Sequence, residues 1–391
     1  SELPFWGVDF KLTSGAGFPR TYNGLLLNYT FNHFVWDDLN VKIRGTFDKT
    51  TRSNFRNEDR STTLVGESYR LHFSAGALYN IVENLTIEGG GDFITRQNNY
   101  LGYRGYFSGK ESGVQVPSDT GTYEHSYFLQ LGISLTKLSL LGGARYTINE
   151  LLDNDLSARI AAVFSFDDKN SFKALFGQSF RSPALYEIMS SLQGNAALEP
   201  EKSTSVELNF LSQPFPRLFI NATGYYSQYE GLIVREEGVY INDSAISSAG
   251  TELELKLQHP RIVDAFVGYG FILGLESYQP TNYAFRLAPK HTIAAGVSRT
   301  FAEKVFVSAN GLYWGHTKGL RADIEPQYTV DASIGYIIRT AKFRMRNALS
   351  IKNINNSEFR NAEYTKGATV MNDLPTMGFG RRYLYTMTFD L

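Results

Sequence analysis

Apolar and polar side chains alternate one for one along most of this chain, in segments of about 10 to 14 residues. In the last segment Tyr383, Tyr385, Met387, Phe389 and Leu391 share one face, and Leu384, Thr386, Thr388 and Asp390 the other. Val330, Ala332, Ile334, Tyr336 and Ile338 form a similar stripe, while Leu253, Leu255 and Leu257 are set against Glu252, Glu254 and Lys256. A period of two marks β-strands with one apolar face. The segments lie near 5–14, 22–35, 38–49, 67–80, 84–97, 123–135, 138–149, 155–166, 170–181, 201–212, 217–230, 240–258, 264–277, 287–300, 304–316, 326–339, 342–353 and 381–391. That makes about 18 strands, each long enough to cross a bilayer at a tilt.

The connections fall into two classes that alternate. Short ones include Trp36-Asp37-Asp38, Val82-Glu83-Asn84, Asp167-Asp168-Lys169-Asn170, Gln213-Pro214-Phe215-Pro216, Ala302-Glu303-Lys304 and Thr340-Ala341-Lys342; long polar ones occupy 50–66, 98–122, 182–200, 278–286 and 354–380. Outer-membrane barrels have short periplasmic turns and long extracellular loops, so the pattern predicts an all-β, transmembrane antiparallel β-barrel in the bacterial outer membrane, its first strand starting on the periplasmic side. A charge on the lipid face costs about 2–4 kcal/mol at midplane. Glu207, Glu252, Glu254, Lys256 and Asp331 are therefore predicted to face the lumen. A soluble β-sandwich also alternates, but has no reason to segregate short turns from long loops so regularly.

Composition agrees. The chain holds 28 Phe, 24 Tyr and 35 Gly among 391 residues, and its mean hydropathy is -0.24. No run approaches the roughly 18 to 20 apolar residues of a membrane helix, which excludes a helical membrane protein. The absence of cysteine suits passage through an oxidising periplasm. A net charge of -1 gives no bulk attraction to nucleic acid. Ser1-Glu2-Leu3-Pro4 has neither a basic nor an apolar targeting region, which places any such segment outside the chain.

Catalytic chemistry is not indicated. His33, His72, His125, His259, His291 and His316 show no HxH or HExxH spacing. Asp153-Asn154-Asp155 begins like a calcium loop, but Phe164 stands where the bidentate Glu belongs, so an ordinary polar turn is the reading. Ser179 lacks the GxSxG elbow of a hydrolase. No enzyme, cofactor or metal site is expected.

One stretch carries a more specific signal: Gly177-x-Ser179-Phe180-Arg181-Ser182-Pro183-x-Leu185-x-Glu187, then Gly194-Asn195, then Leu198-Glu199-Pro200-Glu201-Lys202-Ser203. It resembles the barrel signature of TonB-dependent outer-membrane receptors. The likeness continues through Asn221–Tyr226, Tyr229-x-Gly231-Leu232-Ile233, Tyr240-Ile241-Asn242, Gly250–Glu254, Ile351–Arg360, and Pro375 with Gly380-Arg381-Arg382-Tyr383. The signature residues Phe180, Arg181, Pro183, Leu185, Glu187, Asn195, Leu198, Pro200 and Glu201 are read as structural, with Pro183 ending a strand and Arg181 pairing with Glu187 or Glu201.

The resemblance implies a barrel of about 22 strands around a plug domain. This chain reads as a partial barrel over 1–391, with the plug and about four early strands outside it. The implied function is import of a scarce nutrient chelate, a ferric siderophore ahead of cobalamin or haem, driven through contact of the plug with the TonB complex. The alternative is a passive 18-stranded pore. Ligand contacts are expected in the long loops, from Arg52 and Arg56; from Tyr100, Tyr103, Arg104, Tyr106 and Phe107; from Tyr186; from Tyr283 and Arg286; and from Trp314 and Arg321. Guanidinium and aromatic groups suit an anionic, partly apolar metal chelate. Further partners implied are membrane lipid and lipopolysaccharide, a surface lipoprotein, and the barrel-assembly machinery, which reads a terminal strand ending here in Phe389-Asp390-Leu391.

Overall fold

The computed structural model describes residues 6–7, 10–14, 19–55, 62–107, 110–111, 115–116, 120–190, 194–236, 238–243, 245–259, 263–274, 288–317, 323–340, 343–361, 376–377 and 380–390. Every segment read from the alternation contains a strand. Short connections alternate with longer ones along the chain: Trp36 is followed by a strand from Leu39, Val82 by one from Leu85, and Phe301 by one from Val305.

The chain divides into two compact units. One comprises Ser1–Ala162, Leu175–Thr204 and Tyr229–Ala245, and the other Val163–Ala174, Ser205–Gln228 and Ile246–Leu391. In the first, the strands Pro19–Trp36, Leu39–Phe55, Thr62–Val82, Leu85–Phe107, Thr120–Ser134 and Leu138–Asn149 each pair antiparallel with the next. The first predicted segment is broken into Trp6–Gly7 and Phe10–Ser14, both paired with Pro19–Trp36. In the second unit Ile246–His259, Val263–Gly274, His291–Phe301, Val305–Trp314, Gln327–Arg339, Arg344–Lys352 and Arg382–Asp390 form a second antiparallel succession.

The two faces of these strands are inverted relative to a water-soluble sheet. On Thr120–Ser134, Tyr127 and Leu129 are 59% and 54% exposed, whereas Glu124 and Ser126 on the other face are 8% and 2% exposed. Water would not tolerate so continuous an apolar exterior, and lipid demands it. Ser126 and Thr147 hydrogen-bond each other at 3.1 Å on the polar side. Glu254 and Lys256 lie on the face opposite Leu253 and Leu255, and Asp331 is held by Lys352 at 2.9 Å and by the Asn353 amide at 2.9 Å.

On the polar face aromatic rings lie over glycines of the neighbouring strand. Phe128 is directly opposite Gly90, Phe266 opposite Gly296, and Phe306 opposite Gly335. A methyl group on any of these glycines would collide with its ring. Arg346 covers Phe306 with its guanidinium 3.9 Å from the ring centre, a cation–π contact.

Three boundaries differ from the sequence reading. The strands Leu39–Phe55, Thr62–Val82 and Leu85–Phe107 run well into the stretches 50–66 and 98–122 read as loops, because a ladder once started continues wherever partners remain in register. The segment 240–258 is two elements: Val239–Asn242 closes a hairpin with Ile233–Glu236, and the long strand starts at Ile246. Gly238, at φ 94°, lets that hairpin turn. Finally, Leu185–Met189 in the long signature connection is a short helix.

Candidate functional site

The signature connection is a clamped structure rather than an open loop. Arg181 ends one strand and Glu201 begins the next. The guanidinium grips Glu201 with two parallel bonds, Nε to Oε2 at 2.5 Å and Nη2 to Oε1 at 2.8 Å, and its Nη1 donates to Glu187 Oε2 at 3.1 Å. Both acids make further bonds. Glu187 Oε2 accepts the Ala184 amide at 2.7 Å, which gives the helix one half of a capping box; Ala184 has no side-chain acceptor to return the bond, and its carbonyl takes the Glu187 amide at 2.8 Å. Glu201 Oε1 accepts the amide of Ile233 at 2.7 Å, tying in the following hairpin.

A second clamp joins the same parts. Asn242 donates to the carbonyls of Glu199 and Gly231 at 2.9 and 2.7 Å and accepts the Glu199 amide at 2.8 Å. Asn195 donates to the Tyr240 carbonyl at 2.9 Å and accepts the Ala197 amide at 2.9 Å. Leu185, Leu198, Pro183 and Pro200 are buried beneath these contacts. Phe180 is half-buried at the end of its strand. Tyr186 and Tyr240 meet edge to face at 6.1 Å. Burial lifts the Tyr240 phenol above its ordinary pKa, and the neighbouring Tyr186 and Glu187 add to the rise against the opposing pull of Arg235.

Between the helix and the polar face of five strands lies a cavity of about 460 Å³, lined by Asp48, Thr50, Ser68, Arg70, Arg96, Thr122, Asn149 and the loop residues Ser182 to Tyr186 with Ile188. Arg70 stands 3.6 Å from Asp48, and Arg96 stands 3.8 Å from Glu124. Glu124 also receives Ser182 Oγ and Asn149 Nδ2, both at 3.3 Å, so the loop is pinned to the wall there. Deeper on that face Asp92 pairs with Arg145 and with His72, the latter at 3.1 Å.

Of the residues expected at a ligand, Tyr186 lines this cavity, whereas Trp314 packs on Phe359 with ring centres 4.0 Å apart. Arg52, Tyr100, Tyr103, Arg104, Tyr106 and Phe107 lie on the backbone of long strands, with their side chains outside the described residues. Arg56, Tyr283, Arg286 and Arg321 lie outside the described residues entirely. Sequence reading missed Arg70, Arg96 and Thr122. Only the register of three separate strands brings them together. Among the described residues no group of histidine and acidic side chains is arranged to hold a metal ion.

The geometry has close counterparts among known proteins. A family model described as the TonB dependent receptor-like beta-barrel matches residues 4–356. A mutant form of the ferric enterobactin receptor PfeA of Pseudomonas aeruginosa superposes with a TM-score of 0.77 at 13% identity, covering 95% of this chain and 62% of that one. The siderophore receptor PirA of Acinetobacter baumannii gives 0.76 at 14% identity, with 95% and 62% covered. The FrpB iron transporter of Neisseria meningitidis gives 0.74 at 12%, with 95% and 64% covered. The chain thus spans less than two thirds of the length of these structures, and at such identities the likeness is one of fold. With its inverted faces, alternating connections and matched barrel model, this chain is an outer-membrane β-barrel and belongs to the TonB-dependent receptor family.

Proposed function

We propose that the chain is the barrel portion of a receptor that imports a scarce nutrient chelate across the outer membrane, a ferric siderophore before cobalamin or haem. The observation that carries this reading is the match of the barrel model over residues 4–356. The superposed proteins, named as a ferric enterobactin receptor, a siderophore receptor and an iron transporter, favour iron chelates. In this reading the plug and about four early strands lie in sequence outside these residues, and the plug relays energy from the TonB complex. A passive pore is the weaker reading, since the family match counts against it.

Ligand contact is assigned to the long loops, from Arg52, Arg56, Tyr100, Tyr103, Arg104, Tyr106, Phe107, Tyr186, Tyr283, Arg286, Trp314 and Arg321. The test is uptake of radio-iron as ferric catecholate and ferric hydroxamate chelates by cells whose only such receptor is the full-length protein. Energy-dependent uptake of one chelate, lost when 98–122 is replaced by a short linker, is the expected result. Uptake that persists without TonB would overturn the importer, and uptake indifferent to the linker would overturn the loop assignment.

A further inference from the structure

Four residues form one lateral row across the polar face: Asp48 is directly opposite Arg70, Arg70 opposite Arg96, and Arg96 opposite Thr122. All four line the cavity roofed by the helix Leu185–Met189. Two like charges directly opposed on adjacent strands repel, and such pairs destabilise a sheet. Neither arginine is within hydrogen-bond length of its acid, at 3.6 Å for Arg70 to Asp48 and 3.8 Å for Arg96 to Glu124. Their forks therefore keep donors for a third group. Thr122 closes the row with 9% exposure, and its hydroxyl has no hydrogen-bond partner among the described residues.

We infer that this row is a carboxylate-binding subsite, taking the acid group of a small organic ligand with an apolar body. The arrangement supplies each part of that recognition. Planar guanidinium forks match the two oxygens of a carboxylate. An anion seated between Arg70 and Arg96 offsets their mutual repulsion. Leu151, Leu152, Leu185 and Ile188, which also line the cavity, receive the apolar body. A volume of about 460 Å³ is that of a small-molecule pocket. Asp48 and the buried Glu124 balance the charge of the two arginines, so recognition rests on the directed donors of the forks and a polyanion is not favoured over a monoacid. The carboxylate is either that of a free acid or an arm of the imported chelate. The inference rests on the importer reading for the second source only.

Equilibrium dialysis of the folded, detergent-purified full chain with radiolabelled benzoate, alongside sulfate as a bare oxyanion, tests the site. The expected result is saturable benzoate binding, tighter than sulfate and weakened at high salt. Arg70→Gln and Arg96→Gln should each weaken it at least roughly tenfold. Arg339→Gln, in a pair with Glu303 outside the cavity, should leave it unchanged. Heat-shifted gel mobility establishes that each variant is folded. No saturable benzoate binding, or unchanged affinity in the two arginine variants, overturns the proposal, and sulfate binding as tightly as benzoate overturns its apolar part. Uptake measured in the same variants separates the two readings: a subsite that binds benzoate in a protein that imports nothing refutes the importer and leaves the subsite standing. Inhibition of uptake by benzoate that vanishes in Arg96→Gln assigns the site to the chelate, and undisturbed uptake assigns it to a free acid.

Discussion

Arg181 meets Glu201 edge-on, through Nε at 2.5 Å and Nη2 at 2.8 Å, and this pair closes the two ends of a connection that spans 182–200. Its geometry is bidentate, which a lysine cannot reproduce. Arg181→Lys should lower unfolding stability by about 1–2 kcal/mol, a figure kept low because the guanidinium is partly exposed. Urea unfolding of the folded barrel in detergent reads this directly, and a change below experimental error would show the pair to be ornamental.

Asn242 replaces a stretch of sheet by holding the amide and carbonyl of Glu199 and the carbonyl of Gly231 at once. Asn242→Ala should therefore loosen the connection locally, at a cost of about 1–3 kcal/mol. The Glu199 amide should exchange with deuterium roughly ten to a hundred times faster, the same energy expressed as protection. Strands such as Gln327–Arg339 should exchange as before.

Gly335 lies under the Phe306 ring and against the Asn347 carbonyl, with no room for a methyl group. Gly335→Ala should destabilise the barrel by about 1–3 kcal/mol through overpacking. Gly311 is the control, because its nearest neighbour to an added methyl is the Thr329 carbonyl at 4.0 Å. Comparable losses at both positions would sink the ring-over-glycine argument.

Ala302 and Glu303 both have positive φ, 46° and 58°, in the turn where the Lys304 amide bonds the Phe301 carbonyl at 2.9 Å. This is the two-residue hairpin turn that favours asparagine at its first position. Ala302→Asn should raise stability by about 0.5–1 kcal/mol, seen as a higher urea midpoint with an unchanged slope. Glu303 is best left alone, since its carboxylate holds Arg339 at 2.8 Å.

Strand existence and sidedness are legible in the sequence because lipid on one face and a polar interior on the other impose a period of two on each crossing, as Leu253, Leu255 and Leu257 against Glu254 and Lys256 illustrate. Strand ends are not. The ladder past Thr50 and Asn98 depends on partners across the sheet rather than on local composition. The helix at Leu185 escapes sequence reading because it is five residues long, too short to show a helical period, and is held by Glu187 and Arg181 instead of by its own propensity. Motif residues mark the clamp, yet the row from Asp48 to Thr122 leaves no trace, since its members are spread over four strands and share nothing but register.

Neighbour-only pairing also sets a timetable. Along each of the two successions described above, every long strand finds its partner within the next connection. Loop closure over such separations is fast and its entropy cost grows only slowly with length. Insertion can thus advance one hairpin at a time, no strand waiting for a distant one. The Asn242 clamp follows the Arg181–Glu201 pair, because Arg181 and Glu201 flank one connection whereas Asn242 reaches Glu199 from the hairpin after it.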